Sequence, residues 1–297
     1  MMEELERAQA RLDHICTVEP ILSALRTISL GSWKATLKQR SSVQRYGERL
    51  TAVLSLLAPH LPAVRRARRE TGPTSGRVVA LVVGSERGLC GRFNMAVVER
   101  AERYLTGQEA AGVQVELMAL GTRVRRIFQR RKRPLAWSGA LSITALPPFH
   151  LAFDLTRRWL MRYEEREMDV VDLVYNAYRG TGPYEPTVVR LIPPQLPSGR
   201  QNPLSEPWPP PIIETDPLRL YTHVVEQWAA VSLYGLLLDS AAAEHSTRYQ
   251  LMESATQNAN RLIEELTLVV QAARRHAITR EMQELAAGAG LIGPQSS

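Results

Sequence analysis

The chain is poor in cysteine, lysine and phenylalanine. Its two cysteines, Cys16 and Cys90, are too few for a disulfide framework and lack the spacing of metal ligands. The lysines are Lys34, Lys38 and Lys132 alone, so nearly all of the 37 basic residues are arginine, a side chain suited to fixed, bidentate contacts with carboxylates or phosphates. Four phenylalanines in 297 residues, and no aromatic motif beside the arginine clusters, argue against stacking on nucleic-acid bases. Long apolar runs are missing too. The longest, Val78 to Val83, is far short of the roughly 20 residues that cross a bilayer, and the charged start MMEELERAQARLD has no signal-peptide pattern. The expectation is a soluble, cytoplasmic protein whose membrane role, if any, is peripheral. The six histidines (His14, His60, His150, His223, His245 and His276) form no HxxxH or HExxH pair, so neither a metal nor another cofactor is expected.

What is present sets the architecture. A hydrophobic content of 44% supports a real core, and the formal charge of +7 suits a nucleic acid or an acidic protein surface. Nine of the 19 prolines fall between Pro193 and Pro217, which excludes a helix interior or a central strand there. Beyond them, Leu218 to about Ala286 contains no proline, and Gly235 is its one glycine. A helix of that length spans roughly 100 Å, too long for one globular core to support. Ala255, Ala259, Leu262, Leu266, Val269 and Ala273 recur along it at spacings of three and four, which predicts a seam including Leu262, Leu266, Val269 and Ala273, with Ile263, Val270 and Ala277 on adjoining rows. At the other end, Leu5, Leu12, Ile15, Leu22, Leu25 and Ile28 give a second helical stripe, which Pro20 is expected to kink or restart.

Two such helices satisfy each other most simply as an antiparallel pair. Between them, RVVALVV, VQVELMAL, VVDLVYNAY and TVVRLI read as strands and Phe93–Leu105, TRVRRIFQRR and Phe149–Met168 as helices. The fold class is therefore an α/β insert on an antiparallel α-helical coiled coil, the insert being a three-layer Rossmann-like domain. The division predicted is an amino-terminal helix over 1–62, a basic linker over 63–76, the α/β domain over 77–192, a proline-rich connector over 193–217, a carboxyl-terminal helix over 218–290 and a tail over 291–297.

The short motif that stands out is Gly84 to Gly91, after the first strand and before a helix, where α/β folds bind phosphates. Its GxxxGxxG spacing matches neither the dinucleotide nor the phosphate-loop fingerprint, and no lysine follows. Glycines that allow a tight, close-packed strand-to-helix turn explain it as well. Cys90 at a helix start has no histidine nearby in sequence to activate it. Arginines 65, 66, 68 and 69, and the run Arg130, Arg131, Lys132 and Arg133, fit phosphates or an acidic partner. Two readings from other classes thus stand beside a shaft: an α/β nucleotide-binding protein with coiled-coil arms, and an arginine-rich nucleic-acid binder. No self-contained catalytic site emerges.

The motifs taken together resemble the gamma subunit of rotary ATP synthases. That family follows its first strand with a turn like SDRGLCGGFN, matched here by Ser85, Arg87, Gly88, Leu89, Cys90, Gly91, Phe93 and Asn94, with Glu86 for the acid and Arg92 for a glycine. The carboxyl-terminal ATQNANRLIEELTLVVQAARRHAITRE is similar to the family's ATENAxxLIxELTLxYNxARQAxITxE. The resemblance implies a central-stalk rotor with no catalytic residues, cofactor or metal of its own, a non-catalytic subunit that couples ion flow to ATP synthesis or hydrolysis. It implies as partners the alpha and beta subunits, the epsilon subunit and the membrane ring of c subunits, no nucleic acid, and a peripheral place on the cytoplasmic face of the plasma membrane. It implies hexamer contacts through Arg274, Arg275, Thr279 and Glu281, where Arg275 stands for a glutamine.

Overall fold

The computed structural model describes residues 2–61, 76–142, 146–180, 182–194 and 212–289, with the side chains of 2–4 left aside. The arginines at 65–69, most of the proline-rich connector and the tail lie outside the described residues.

Helix α1 (Met2–Leu57) runs on into a short 3-10 turn (Ala58–His60). Then come β1 (Arg77–Val83), α2 (Phe93–Ala110), β2 (Gln114–Leu120), α3 (Thr122–Arg130), β3 (Trp137–Gly139), α4 (Phe149–Glu164), β4 (Val170–Ala177), β5 (Glu185–Ile192) and α5 (Pro217–Gly288). The five strands form one sheet in the order β3-β2-β1-β4-β5. The first four are parallel and β5 runs antiparallel to β4.

The period-two geometry of a strand buried on both faces explains why β1 is apolar from Val78 to Val83. Ala80 and Val82 face a core built with Val97, Val98 and Ala101 of α2 and Val124 and Phe128 of α3. Val79, Leu81 and Val83 face the opposite core, with Leu155 and Trp159 of α4 and Leu233, Leu237 and Leu238 of α5. The three layers are thus α2 and α3, the sheet, and α4 with a stretch of α5. The long helix contributes a face to the domain as well as to the helix pair.

The described chain divides into two compact units that cut across the composition boundaries, because both long helices contribute to each. One, the body, covers 30–248; the other, the terminal pair, covers 1–29 with 249–297. Within the body the helices run antiparallel: Leu54, Leu57 and Leu61 pack with Tyr221 and Val224, and Arg40 Nε meets Asp239 Oδ1 at 2.7 Å. Within the terminal pair the order is again antiparallel, with Arg26 Nη1 to Glu253 Oε2 at 3.2 Å and Arg274 Nη2 donating to Gln9 Oε1 at 3.1 Å.

Burial corrects the expected seams by one residue. In α1, positions 5, 12, 19, 26, 33, 40, 47 and 54, and 8, 15, 22, 29, 36, 43, 50 and 57, are all buried or half-buried, a strict seven-residue repeat. The repeat passes through Ser29 (3% exposed) and leaves Ile28 63% exposed. Ser29 and Thr36 are tolerated at buried positions because each hydroxyl donates to the carbonyl four residues back, Leu25 and Ser32, at 2.7 Å. In α5 the seam runs 252, 256, 259, 263, 266, 270, 273, so Val270 (4% exposed) takes the place expected of Val269 (53%). Leu262 is half-buried beside that row, as are Leu266 and Ala273 on it.

Pro20 does not restart the helix, for α1 is continuous across it. It sits on the exposed side, as does Cys16, whose carbonyl loses its intrahelical donor to the ring and can turn to water.

Candidate functional site

The turn between β1 and α2 is built from its side chains outward. Ser85 is fully buried; its N–H donates to Asn94 Oδ1 at 2.9 Å, and Asn94 Nδ2 donates back to Ser85 Oγ at 2.8 Å. Asn94 Nδ2 also approaches Cys90 Sγ at 3.4 Å, and Ser85 Oγ donates to the Arg87 carbonyl at 2.5 Å. Leu89 takes a left-handed backbone (φ 61°) and turns its side chain to solvent. Phe93 is buried against Tyr184, edge to face at 5.1 Å, and accepts from Asn176 Nδ2 through its carbonyl at 2.8 Å.

Two glycines are required by close approach. A Cβ at Gly84 would stand 1.9 Å from Val124 Cγ2, and Gly121, at φ 106°, leaves room for the Gly84 carbonyl. Not even a methyl group fits at Gly84 or Gly121, and the Ser85 N–H is already taken by Asn94. The turn is therefore a packing device, and the nucleotide-binding reading loses its motif.

Its partner is α5. Cys90 and Phe93 pack on Ala243, and Arg248 Nε donates to the Gly88 carbonyl at 3.3 Å. Arg248 also pairs with Glu244, and its Nη1 lies 3.3 Å from His245 Nδ1. An arginine only donates, so Nδ1 accepts and the imidazole is neutral. Burial, then the neighbouring Arg248 charge, lowers the His245 pKa to about 4. Burial likewise pushes the Glu244 carboxyl and the Cys90 thiol up, which leaves Cys90 a packed thiol and no nucleophile. Glu86 caps α3 by accepting from the Thr122 N–H at 3.1 Å, the Thr122 hydroxyl and the Leu141 N–H at 3.0 Å. Although burial opposes it, these hydrogen bonds and Arg125 hold its carboxyl below the usual range.

The structure thus brings Ser85, Cys90, Phe93 and Asn94 together and joins Gly88 to a residue the sequence reading missed, Arg248. Glu244 and Arg248, an acid four residues before an arginine at the end of the apolar stretch from Leu236, were the available signal. Arg274, Arg275, Thr279 and Glu281 are all exposed on α5 and do not join the turn. Among the described residues no group of three or more His, Cys, Asp or Glu is placed to hold a metal, and no helix is long and apolar enough to cross a membrane.

Comparison with known proteins decides the class. A family model described as ATP synthase matches residues 4–290. The chain is 32% identical to the ATP synthase gamma chain of Rubrobacter xylanophilus over 97% of both chains. The chain belongs to the ATP synthase gamma chain family. Another gamma chain, from Pelotomaculum thermopropionicum, is 28% identical over 98% of this chain and all of that one. Among solved structures, a chain of the Euglena gracilis mitochondrial ATP synthase (OSCP/F1/c-ring, rotational state 3) aligns with a TM-score of 0.62 at 14% identity, covering 100% of this chain and 99% of that one. A chain of the Tetrahymena thermophila mitochondrial ATP synthase, central stalk and c-ring, aligns at 0.58 and 20% identity, covering 79% and 99%. These likenesses are of fold. As a gamma chain this is a non-catalytic, central-stalk rotor subunit of ATP synthase. The turn after β1 fastens the gamma chain's α/β domain to its own long helix.

Proposed function

We propose that the carboxyl-terminal part of α5 is where this gamma chain engages the alternating alpha and beta subunits, with Arg274, Arg275, Thr279 and Glu281 at the contact. Turning of the helix pair then carries torque between a membrane ring of c subunits and the catalytic hexamer. The body is the part that meets the epsilon subunit and the ring, at the cytoplasmic face of the plasma membrane, with the chain held there as a peripheral subunit.

One observation carries the reading: from Arg274 to Leu285 every side chain of α5 is exposed. Ile278, Met282 and Leu285 lie at i, i+4 and i+7, so one face of a long helix is apolar and has no partner among the described residues. Apolar surface with charged neighbours on a stiff helix suits a surrounding sleeve of protein. The polar side chains supply directional contacts there, and none of this requires chemistry in the chain itself.

The test is reconstitution with alpha and beta subunits from the same source. The wild-type chain should form an ATPase-active complex. The combined Arg274→Ala, Arg275→Ala, Thr279→Ala and Glu281→Ala variant should assemble with ATPase activity reduced by about tenfold, equivalent to about 1.4 kcal/mol. Unchanged activity in that variant would remove these residues from the contact, and failure of the wild type to assemble would remove the partner assignment.

A further inference from the structure

Positive charge is not spread evenly along the chain. Between Glu116 and Asp154 there is no acidic residue, while Arg123, Arg125, Arg126, Arg130, Arg131, Lys132 and Arg133 supply seven cations, as many as the formal excess of the whole chain. All seven belong to α3 and the turn after it.

Three are accounted for inside the fold. Arg131 and Arg133 pair with Glu102, Arg133 also pairs with Glu109, and Arg125 lies in the field of Glu86. Arg123, Arg126, Arg130 and Lys132 are exposed and meet no carboxylate among the described residues, although the Arg123 guanidinium lies over Gly88 and Arg130 Nε donates to the Arg126 carbonyl at 3.3 Å.

Helix stability does not explain the row. Cations favour the carboxyl end of a helix, which suits Arg130, but Arg123 is the second residue of α3, where a cation opposes the dipole. Nor is the row loosely held. Val124 and Phe128 are fully buried beneath it and Glu86 caps its first turn, so Arg123, Arg126 and Arg130 stand on one face of a fixed helix, about 10 Å from first to last.

We propose that this face of α3 docks an acidic protein segment, with Arg123, Arg126 and Arg130 as its carboxylate-binding row and Lys132 at its edge. Planar guanidinium forks on a rigid helix favour fixed carboxylates, spaced to match, over a fluid lipid surface. A membrane-lying helix offers apolar side chains to the lipid, whereas here they point into the sheet, and no large hydrophobic residue is exposed among the described residues between Leu117 and Pro148. The same lack of exposed aromatic rings disfavours bases. The proposal stands apart from the rotor contacts of α5, since it concerns another surface and is testable with the chain alone.

The experiment is fluorescence anisotropy with the full chain and a labelled ten-residue oligoglutamate peptide. Binding is expected to weaken as salt rises. It should fall at least tenfold in the Arg123→Gln, Arg126→Gln, Arg130→Gln variant and by less than about twofold in the charge-matched control Arg11→Gln, Arg45→Gln, Arg49→Gln. Equal losses in both variants, no binding by the wild type, or tighter binding to phosphatidylglycerol vesicles or to an oligothymidylate would each overturn it. Circular dichroism of both variants should match the wild type, as expected for exposed side chains.

Discussion

The same two helices behave differently in the body and in the terminal pair. In the body they have a third surface, since Leu233, Leu237 and Leu238 of α5 are buried against the sheet and Leu54 and Leu57 of α1 close onto Tyr221 and Val224. Among the described residues of the terminal pair the only large apolar side chains that are buried are Met252 and Val270, and Val18, Ile21, Leu268 and Val269 are exposed. A two-helix seam shields only the stripe between the helices, so half of each apolar residue stays wet. The body thus has a sheet-backed core of its own, whereas the terminal pair keeps much of its apolar seam at the surface.

The contrast can be broken at its strong end first. Leu233→Ala, in the fully buried core, should cost about 2–5 kcal/mol in urea unfolding, while Leu266→Ala in the half-buried seam should cost about 1 kcal/mol. Equal costs would abolish the distinction.

A pH titration sharpens it within the body. His245 has its pKa lowered to about 4 in the folded chain against 6.5 when free, so between those values the unfolded state binds the extra proton. Its contribution is whole above pH 6.5 and is lost as pH falls toward 4, with a ceiling of about 3 kcal/mol at about 1.4 kcal/mol per tenfold change in proton affinity. Glu244, whose pKa is raised, acts in the opposite sense, because folding favours its protonated form and that help fades as pH rises. The difference between wild type and His245→Gln isolates the histidine and should show this slope; a flat difference would mean that the ring is not held neutral beside Arg248.

Next, Asn94→Ala removes the acceptor of the buried Ser85 N–H and should cost about 1–3 kcal/mol, read as a lower urea midpoint. The smallest effect belongs to the terminal pair: Ile28→Ser should change stability by less than about 0.5 kcal/mol, since Ile28 faces solvent. A loss above 1 kcal/mol there would restore the seam read from hydrophobicity alone.

That last case shows what sequence periodicity conveys. The buried run of β1 and the close turn at Gly84 were legible because each depends on a local property: β-branching, a missing Cβ. The seams missed by one residue at Ile28 and Val269 because burial depends on which side the partner helix lies, and a polar Ser29 that bonds to its own backbone looks like a surface residue in sequence. Strand β3 has only three residues and no apolar run to announce it. Pro20 misled because its cost depends on facing water, a tertiary fact. Of the turn, the members were readable, but their pairing with Arg248, 160 positions away from Gly88, was not. The exposed residues proposed for the hexamer contact, Arg274, Arg275, Thr279 and Glu281, came from family resemblance, as nothing in helical spacing marks them out.

On the function proposed above, the alpha and beta subunits cover the exposed face of the terminal pair. Hydrogen–deuterium exchange of the chain, free and assembled with those subunits, tests it most directly. Amides of residues 250–285 should exchange at least tenfold more slowly in the complex, while the buried strands β1 and β4 keep the same protection. Unchanged exchange over 250–285, or new protection confined to the body, would contradict the account.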